Sequence, residues 1–134
     1  MRKKRTKTRE NRKLDDMMPS NPNELYENGL GFHRRGDLLQ AAECYLHVLE
    51  INPKHAGAWH FLGAVALARK DHATAMEHFE KALSFCDNKA VYWNNYGIAL
   101  KELRRDADAL AAFEKAVSLD SGYADAWSNL GFLD

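Results

Sequence analysis

The sequence predicts an all-α solenoid of stacked helix pairs, and three observations predict it. Trp59, Trp93 and Trp127 open the related phrases Trp-His-Phe-Leu-Gly, Trp-Asn-Asn-Tyr-Gly and Trp-Ser-Asn-Leu-Gly, 34 residues apart both times. Further columns keep the same step: Ala41, Ala75 and Ala109; Tyr45, Phe79 and Phe113; Val48, Ala82 and Ala116; and Gly29 continues the glycine register one unit earlier. Finally, helix start and stop signals fall at matching places in each unit. A fixed period of this length marks stacked supersecondary units, each burying its apolar face on its neighbours.

The elements follow in order. Asn21 caps and Pro22 opens the first A helix, which runs to about Arg34, because Asn satisfies a free amide and Pro suits the first helical position. Gly36 breaks it. Asp37 with Gln40 three residues on reads as a capping box for helix B, which runs to about Glu50 and stops before Asn52-Pro53. The second unit turns near Lys70-Asp71. The third turns near Arg104-Arg105-Asp106 without a glycine, so a less relaxed turn is expected there. Asp87 and Ser121 stand between units and read as caps.

Helical geometry divides each A helix into two faces. Trp59, Leu62, Gly63 and Ala66 share one stripe about 100° wide, which must be buried. Gly63 lets two helices approach closely, and Ala75 serves the same contact while Phe79 and Ala82 fill the space around it. The opposite face holds the residues one, two and five places after each tryptophan. Stacked units align these faces into an inner groove, made of Tyr26, Glu27 and Leu30, then His60, Phe61 and Ala64, then Asn94, Asn95 and Ile98, then Ser128, Asn129 and Phe132.

These columns resemble the tetratricopeptide repeat, a helix–turn–helix unit with Trp-Leu-Gly early, a small residue mid-unit, and an aromatic and then Ala later. The resemblance implies a right-handed α-solenoid of antiparallel helix pairs over residues 21–134. It has three full repeats (22–55, 56–89 and 90–123) and the A helix of a fourth (124–134). Trp93-Asn94-Asn95-Tyr96-Gly97, Leu100-Lys101-Glu102 and Ala126-Trp127-Ser128-Asn129-Leu130-Gly131 are similar to the repeats ahead of O-linked N-acetylglucosamine transferases. There an asparagine ladder holds the substrate polypeptide. The carry-over reaches Asn95 and Asn129 alone, since Glu27 and Phe61 hold the matching places earlier. A second family mode clamps the C-terminal carboxylate of heat-shock chaperones with cationic and amide groups. Tyr26 and Leu30 stand where that clamp needs them, and Lys101 at the groove edge is a single cation, so that mode is rejected.

Charge is uneven beneath a formal net charge of zero. Residues 1–16 carry eight Lys/Arg against three acids, +5, while the remainder holds 11 basic and 16 acidic residues, −5. Residues 1–20 therefore read as a disordered basic arm. Its readings are a solubilising tail, a targeting signal at Arg2-Lys3-Lys4-Arg5, a contact for an anionic surface, or an arm that folds back on the acidic body. Two cysteines, Cys44 and Cys86, are too few for a disulfide framework and read as free thiols. No apolar segment follows the basic start, and the longest uncharged run, 56–68, is short of the ~20 residues a spanning helix needs. The chain is expected to be cytoplasmic.

No catalytic constellation appears. The six histidines lack metal-ligand spacing: His55 and His60 are five apart, His72 and His78 six. Cys44 and His47 have no third group to orient them. Solvated surface histidine is the expected state, with His60 facing the groove. No cofactor is expected. The expected role is a non-enzymatic scaffold binding an extended or helical segment of a partner protein through Tyr26, His60, Phe61, Asn94, Asn95, Ile98, Lys101 and Asn129. The alternatives are a substrate-recognition arm of a glycosyltransferase and, a distant third, a nucleic-acid contact through residues 2–13. Trp127 and Leu130 lack a following B helix. This suggests a longer parent protein or self-association through that helix.

Overall fold

The computed structural model describes residues 21–133, and side chains to residue 131. The basic arm expected over residues 1–20 lies outside the described residues, as does the Phe132 side chain of the expected groove. Among the described residues seven helices follow one another: α1 (Pro22–Arg34), α2 (Leu38–Ile51), α3 (Ala56–Ala68), α4 (His72–Phe85), α5 (Ala90–Glu102), α6 (Asp106–Leu119) and α7 (Ala124–Leu133). Each packs on its neighbours in sequence, and α3–α5 and α5–α7 also touch, so the A helices lie side by side. The described chain is an all-α solenoid of helix pairs.

The repeat columns form the core. Tyr45, Phe79 and Phe113 are almost wholly buried, each over the glycine of its own unit's A helix. A Cβ on Gly29, Gly63 or Gly97 would lie 2.6, 2.6 or 2.5 Å from the ring, so these glycines accommodate an aromatic side chain. Ala41, Ala75 and Ala109 and, two turns further, Val48, Ala82 and Ala116 are fully buried. Small residues here let the paired helices approach at interior packing density.

The tryptophans do more than fill space. Each indole Nε1 donates to the carbonyl oxygen six residues upstream: Trp59 to Pro53 at 2.9 Å, Trp93 to Asp87 at 2.7 Å, Trp127 to Ser121 at 2.8 Å. The ring thus pins the inter-repeat loop to the next A helix and pairs a carbonyl that a turn would leave bare. Asp87 and Ser121 contribute these backbone oxygens and no side-chain cap, contrary to expectation. Trp59 and Trp93 are half-buried; Trp127 is 51% exposed.

Caps and turns are partly as expected. Asn21 accepts from Asn23 N at 2.8 Å with Pro22 behind it, and Asp71 accepts from Thr74 N at 3.3 Å. The capping box at Asp37 does not form, although its backbone angles (−87°, 74°) nearly match those of Asp71 (−91°, 77°). The difference lies in the side chain. All three A-to-B turns close alike, with Asp37, Asp71 and Arg105 N–H donating to Phe32, Ala66 and Leu100 carbonyls five residues back. This closure puts Gly36, Lys70 and Arg104 at φ 80°, 62° and 63°. Two non-glycine residues are therefore left-handed, where one unrelaxed turn was expected.

Candidate interaction groove

One spacing organises the inner faces of the A helices: residue i of one repeat meets residue i + 35 of the next. Between α1 and α3 it joins two aromatics, Tyr26 and Phe61, with ring centroids 6.0 Å apart. Between α3 and α5 it joins His60 Nε2 and Asn95 Nδ2 at 3.3 Å. Between α5 and α7 the Asn129 amide donates to Asn94 Oδ1 at 2.9 Å, and Asn94 donates onward to the Tyr123 hydroxyl at 3.4 Å. The residue after each tryptophan position therefore faces the next A helix, which buries that flank.

His60 and Asn94 are consequently corrections. They were expected on the open groove, yet they are 2% and 3% exposed and form the wall between repeats. His60 stacks on Tyr92 (centroids 4.2 Å, planes 17° apart) and stands edge-on to Phe61. It is no solvated surface histidine. Burial, reinforced by His33, lowers its pKa to about 4, so the ring is neutral. With the Asn95 amide donating to Nε2, its proton sits on Nδ1, which is buried with no hydrogen-bond partner among the described residues.

The other expected residues separate into two groups. Asn95 and Asn129 are half-buried, each with part of its amide committed to the neighbouring repeat. Ile98 packs half-buried on the third-repeat core, and Lys101 is half-buried in the last turn of α5. Tyr26 and Phe61, in contrast, wall a surface cavity of about 520 Å³ with His55, Ala56, Gly57, Cys86, Lys89, Val91 and Tyr92.

This cavity sits where the N-terminal turns of α1, α3 and α5 converge. Gly57 makes room for the Tyr26 hydroxyl, which would lie 2.5 Å from a Cβ there. His55 accepts from Ala58 N at 3.0 Å to cap α3, and its ring lies 4.6 Å from that of Tyr26. Burial lowers the His55 pKa, which keeps Nδ1 free to accept. Burial also raises the Tyr26 phenol to about 12, aided by Tyr92 and Glu27. Tyr26 and His55 are thus neutral at physiological pH, and the lining is aromatic and apolar apart from Lys89.

Sequence reasoning missed Tyr92, which is nearly buried and stacks beneath the groove. The available signal was its column: Ala58, Tyr92 and Ala126 share the 34-residue step, and one large ring among alanines implies space made elsewhere. Val91, Lys89 and Gly57 precede the tryptophans and lay outside the assumed face. Among the described residues no group of three His, Cys, Asp or Glu side chains is placed to hold a metal ion. No helix among them is long and apolar enough to cross a membrane.

Comparison with known proteins agrees with this geometry. The tetratricopeptide-repeat family model matches residues 26–92, half of the chain, and a second model of the same repeat matches 90–123. The chain belongs to the tetratricopeptide-repeat family. A tetratricopeptide-repeat-containing protein of Schizosaccharomyces pombe is 38% identical over 53 residues, 40% of this chain but 6% of that protein. The first tetratricopeptide-repeat domain of Spaghetti, solved bound to an HSP90 peptide, superposes with a TM-score of 0.80 at 18% identity, covering 84% of this chain and 89% of that one. The O-GlcNAc transferase of Thermobaculum terrenum gives 0.80 at 23% identity, covering 84% of this chain and 22% of that one. At such identities the two structural likenesses show the tetratricopeptide-repeat fold alone.

Proposed function

We propose that this chain is a protein-interaction scaffold whose concave A-helix face holds a segment of a partner protein. The observation that carries this is the cavity between Tyr26, Phe61 and Tyr92. Its volume lies within the range of ligand sites, and its lining is dominated by aromatic and apolar groups. Tyrosine, which supplies two of its rings, is among the residue types enriched in the few positions that carry most of the binding free energy at protein interfaces. The Spaghetti domain, of the same fold, is solved with a peptide, which supports the class of partner. The test compares proteins retained by the intact chain, by Val91→Glu at the cavity and by Leu39→Glu on α2, both positions being exposed. Partners should be lost with Val91→Glu and kept with Leu39→Glu; equal retention would remove the groove reading.

A second reading, a substrate-recognition arm ahead of a glycosyltransferase catalytic domain, draws on the likeness to the Thermobaculum protein. It needs the amides of Asn95 and Asn129 turned to the guest backbone. Each still has unspent amide capacity beyond its bond to the neighbouring repeat, so the reading is kept second. This chain should then compete for a transferase's protein substrate while turning over no sugar nucleotide.

A further inference from the structure

We propose that the cavity between α1, α3 and α5 is the anchor point of the groove. In this reading it takes an apolar side chain of a partner protein with a carboxylate-bearing residue next to it in sequence. The proposal rests on the scaffold reading above and specifies the guest.

The amide groups suited to reading a guest's backbone are drawn into the wall, Asn129 on Asn94 and Asn95 on His60. Part of their capacity is spent there, so recognition leans more on side chains. The cavity of about 520 Å³ offers the rings of Tyr26, Phe61 and Tyr92 with Val91 beside them, room for a large apolar group. Of its nine lining residues only Lys89 carries a formal charge at neutral pH. Lys89 is exposed, and while its carbonyl accepts from Tyr92 N–H, its ammonium has no hydrogen bond or ion pair among the described residues. It is also the N-cap of α5 without a side-chain cap bond, so the positive end of that helix adds to the ammonium. On the α1 side the sign reverses: Glu24 and Glu27, with Asn23 and Asn28, line a second concavity of about 420 Å³. A guest carboxylate is repelled from α1 and drawn to α5, which fixes the side of the anchor on which it lies.

The test is fluorescence anisotropy on the full chain with three end-blocked, labelled peptides. One is Gly-Ser-Phe-Asp-Glu-Ser-Gly, the second replaces Phe by Ser, and the third replaces Asp-Glu by Lys-Lys. Blocking the ends excludes recognition of a terminal carboxylate. The first peptide should bind about tenfold or more tighter than the second, a difference of at least ~1.4 kcal/mol, since it alone buries an aromatic side chain. It should bind about fivefold tighter than the third, the scale of a rim ion pair. Lys89→Glu should reverse the preference between the acidic and basic peptides. Val91→Trp, which fills the cavity from a position 42% exposed, should abolish binding in a folded protein. A first peptide that shifts the amide signals of Asn95 and Ile98 yet ignores both substitutions would sink this proposal and leave the scaffold reading standing. A folded chain with no shifts on the concave face would count against both. Binding that appears only when Leu14, Met17 and Met18 are all changed to Ser would make the chain's own N-terminal segment the occupant. Binding that appears only on diluting a dimer would make it a second copy. Either result overturns the assignment to a partner.

Discussion

The amide of Asn129 donates to the side-chain oxygen of Asn94 across 2.9 Å and 35 residues of sequence, the same step that joins Asn95 to His60. Polar pairs at this register tie one A helix to the next, so the wall of the groove is part of the inter-repeat interface. Removing the buried partner strands the other. Asn94→Ala leaves Asn129 and Tyr123 without their bonds and should cost ~1–3 kcal/mol. Asn129→Ala, at a half-buried position, should cost less. Urea unfolding of both singles and the double should show non-additivity of at least ~0.5 kcal/mol; strict additivity would mean that the pair is not coupled.

Acid should destabilise the fold. His60 has a folded-state pKa lowered to about 4, by burial first and His33 second. Below its ordinary value of 6.5 the unfolded chain therefore binds a proton that the folded chain refuses. Its contribution is complete above pH 6.5 and is lost as pH falls toward 4, by about 3 kcal/mol at most. His33, His55 and His78, all lowered by burial, act in the same direction. Urea midpoints between pH 7.5 and 4.5 should fall, and His60→Phe should flatten the slope. A midpoint that rises on acidification would contradict the burial of this ring.

Lys70 and Arg104 hold left-handed backbone at φ 62° and 63°, where Gly36 stands in the first repeat. Glycine removes the Cβ penalty of ~1–2 kcal/mol at the expense of some chain entropy. Lys70→Gly and Arg104→Gly should each raise the melting temperature, a net gain of about 0.5–1 kcal/mol, while Gly36→Ala should lower it.

The helix glycines divide by what a methyl would meet. At Gly63 and Gly97 it would lie 2.6 and 2.5 Å from a fully buried phenyl ring. Alanine there should cost ~1–3 kcal/mol through overpacking. At Gly31 the nearest atom is the end of the Arg35 guanidinium at 3.6 Å, and alanine should gain about 0.5–1 kcal/mol from helix propensity. Thermal unfolding of the three variants should show opposite signs.

The repeat architecture was legible because it is written in columns. The buried Ala75 column and the A-helix end at Arg34 follow from the 34-residue step and the helix stop signals, whereas Gly63, expected to let two helix backbones meet, instead lies under the ring of Phe79. The groove was legible only in outline. Counting faces around one isolated helix puts the residue after each tryptophan in the open. The next repeat's A helix covers that flank, so His60 and Asn94 become wall. Lys89, Val91 and Tyr92 reach the cavity because the first turn of α5 converges with α1 and α3, a relation between helices that one helix's periodicity does not contain. The tryptophan–carbonyl bonds escaped notice for a related reason. A stripe of apolar residues says which side is buried but not that the indole N–H finds a loop oxygen six residues back.

The most direct test of the concave cavity as the working surface is site-specific photocrosslinking. A photoreactive phenylalanine analogue replaces Phe61 in the cavity wall, where a phenyl ring already stands, or Leu39 on α2. Crosslinks to a bound partner segment should form from position 61 and be absent from position 39. Crosslinks from position 39 with none from 61 would contradict the account.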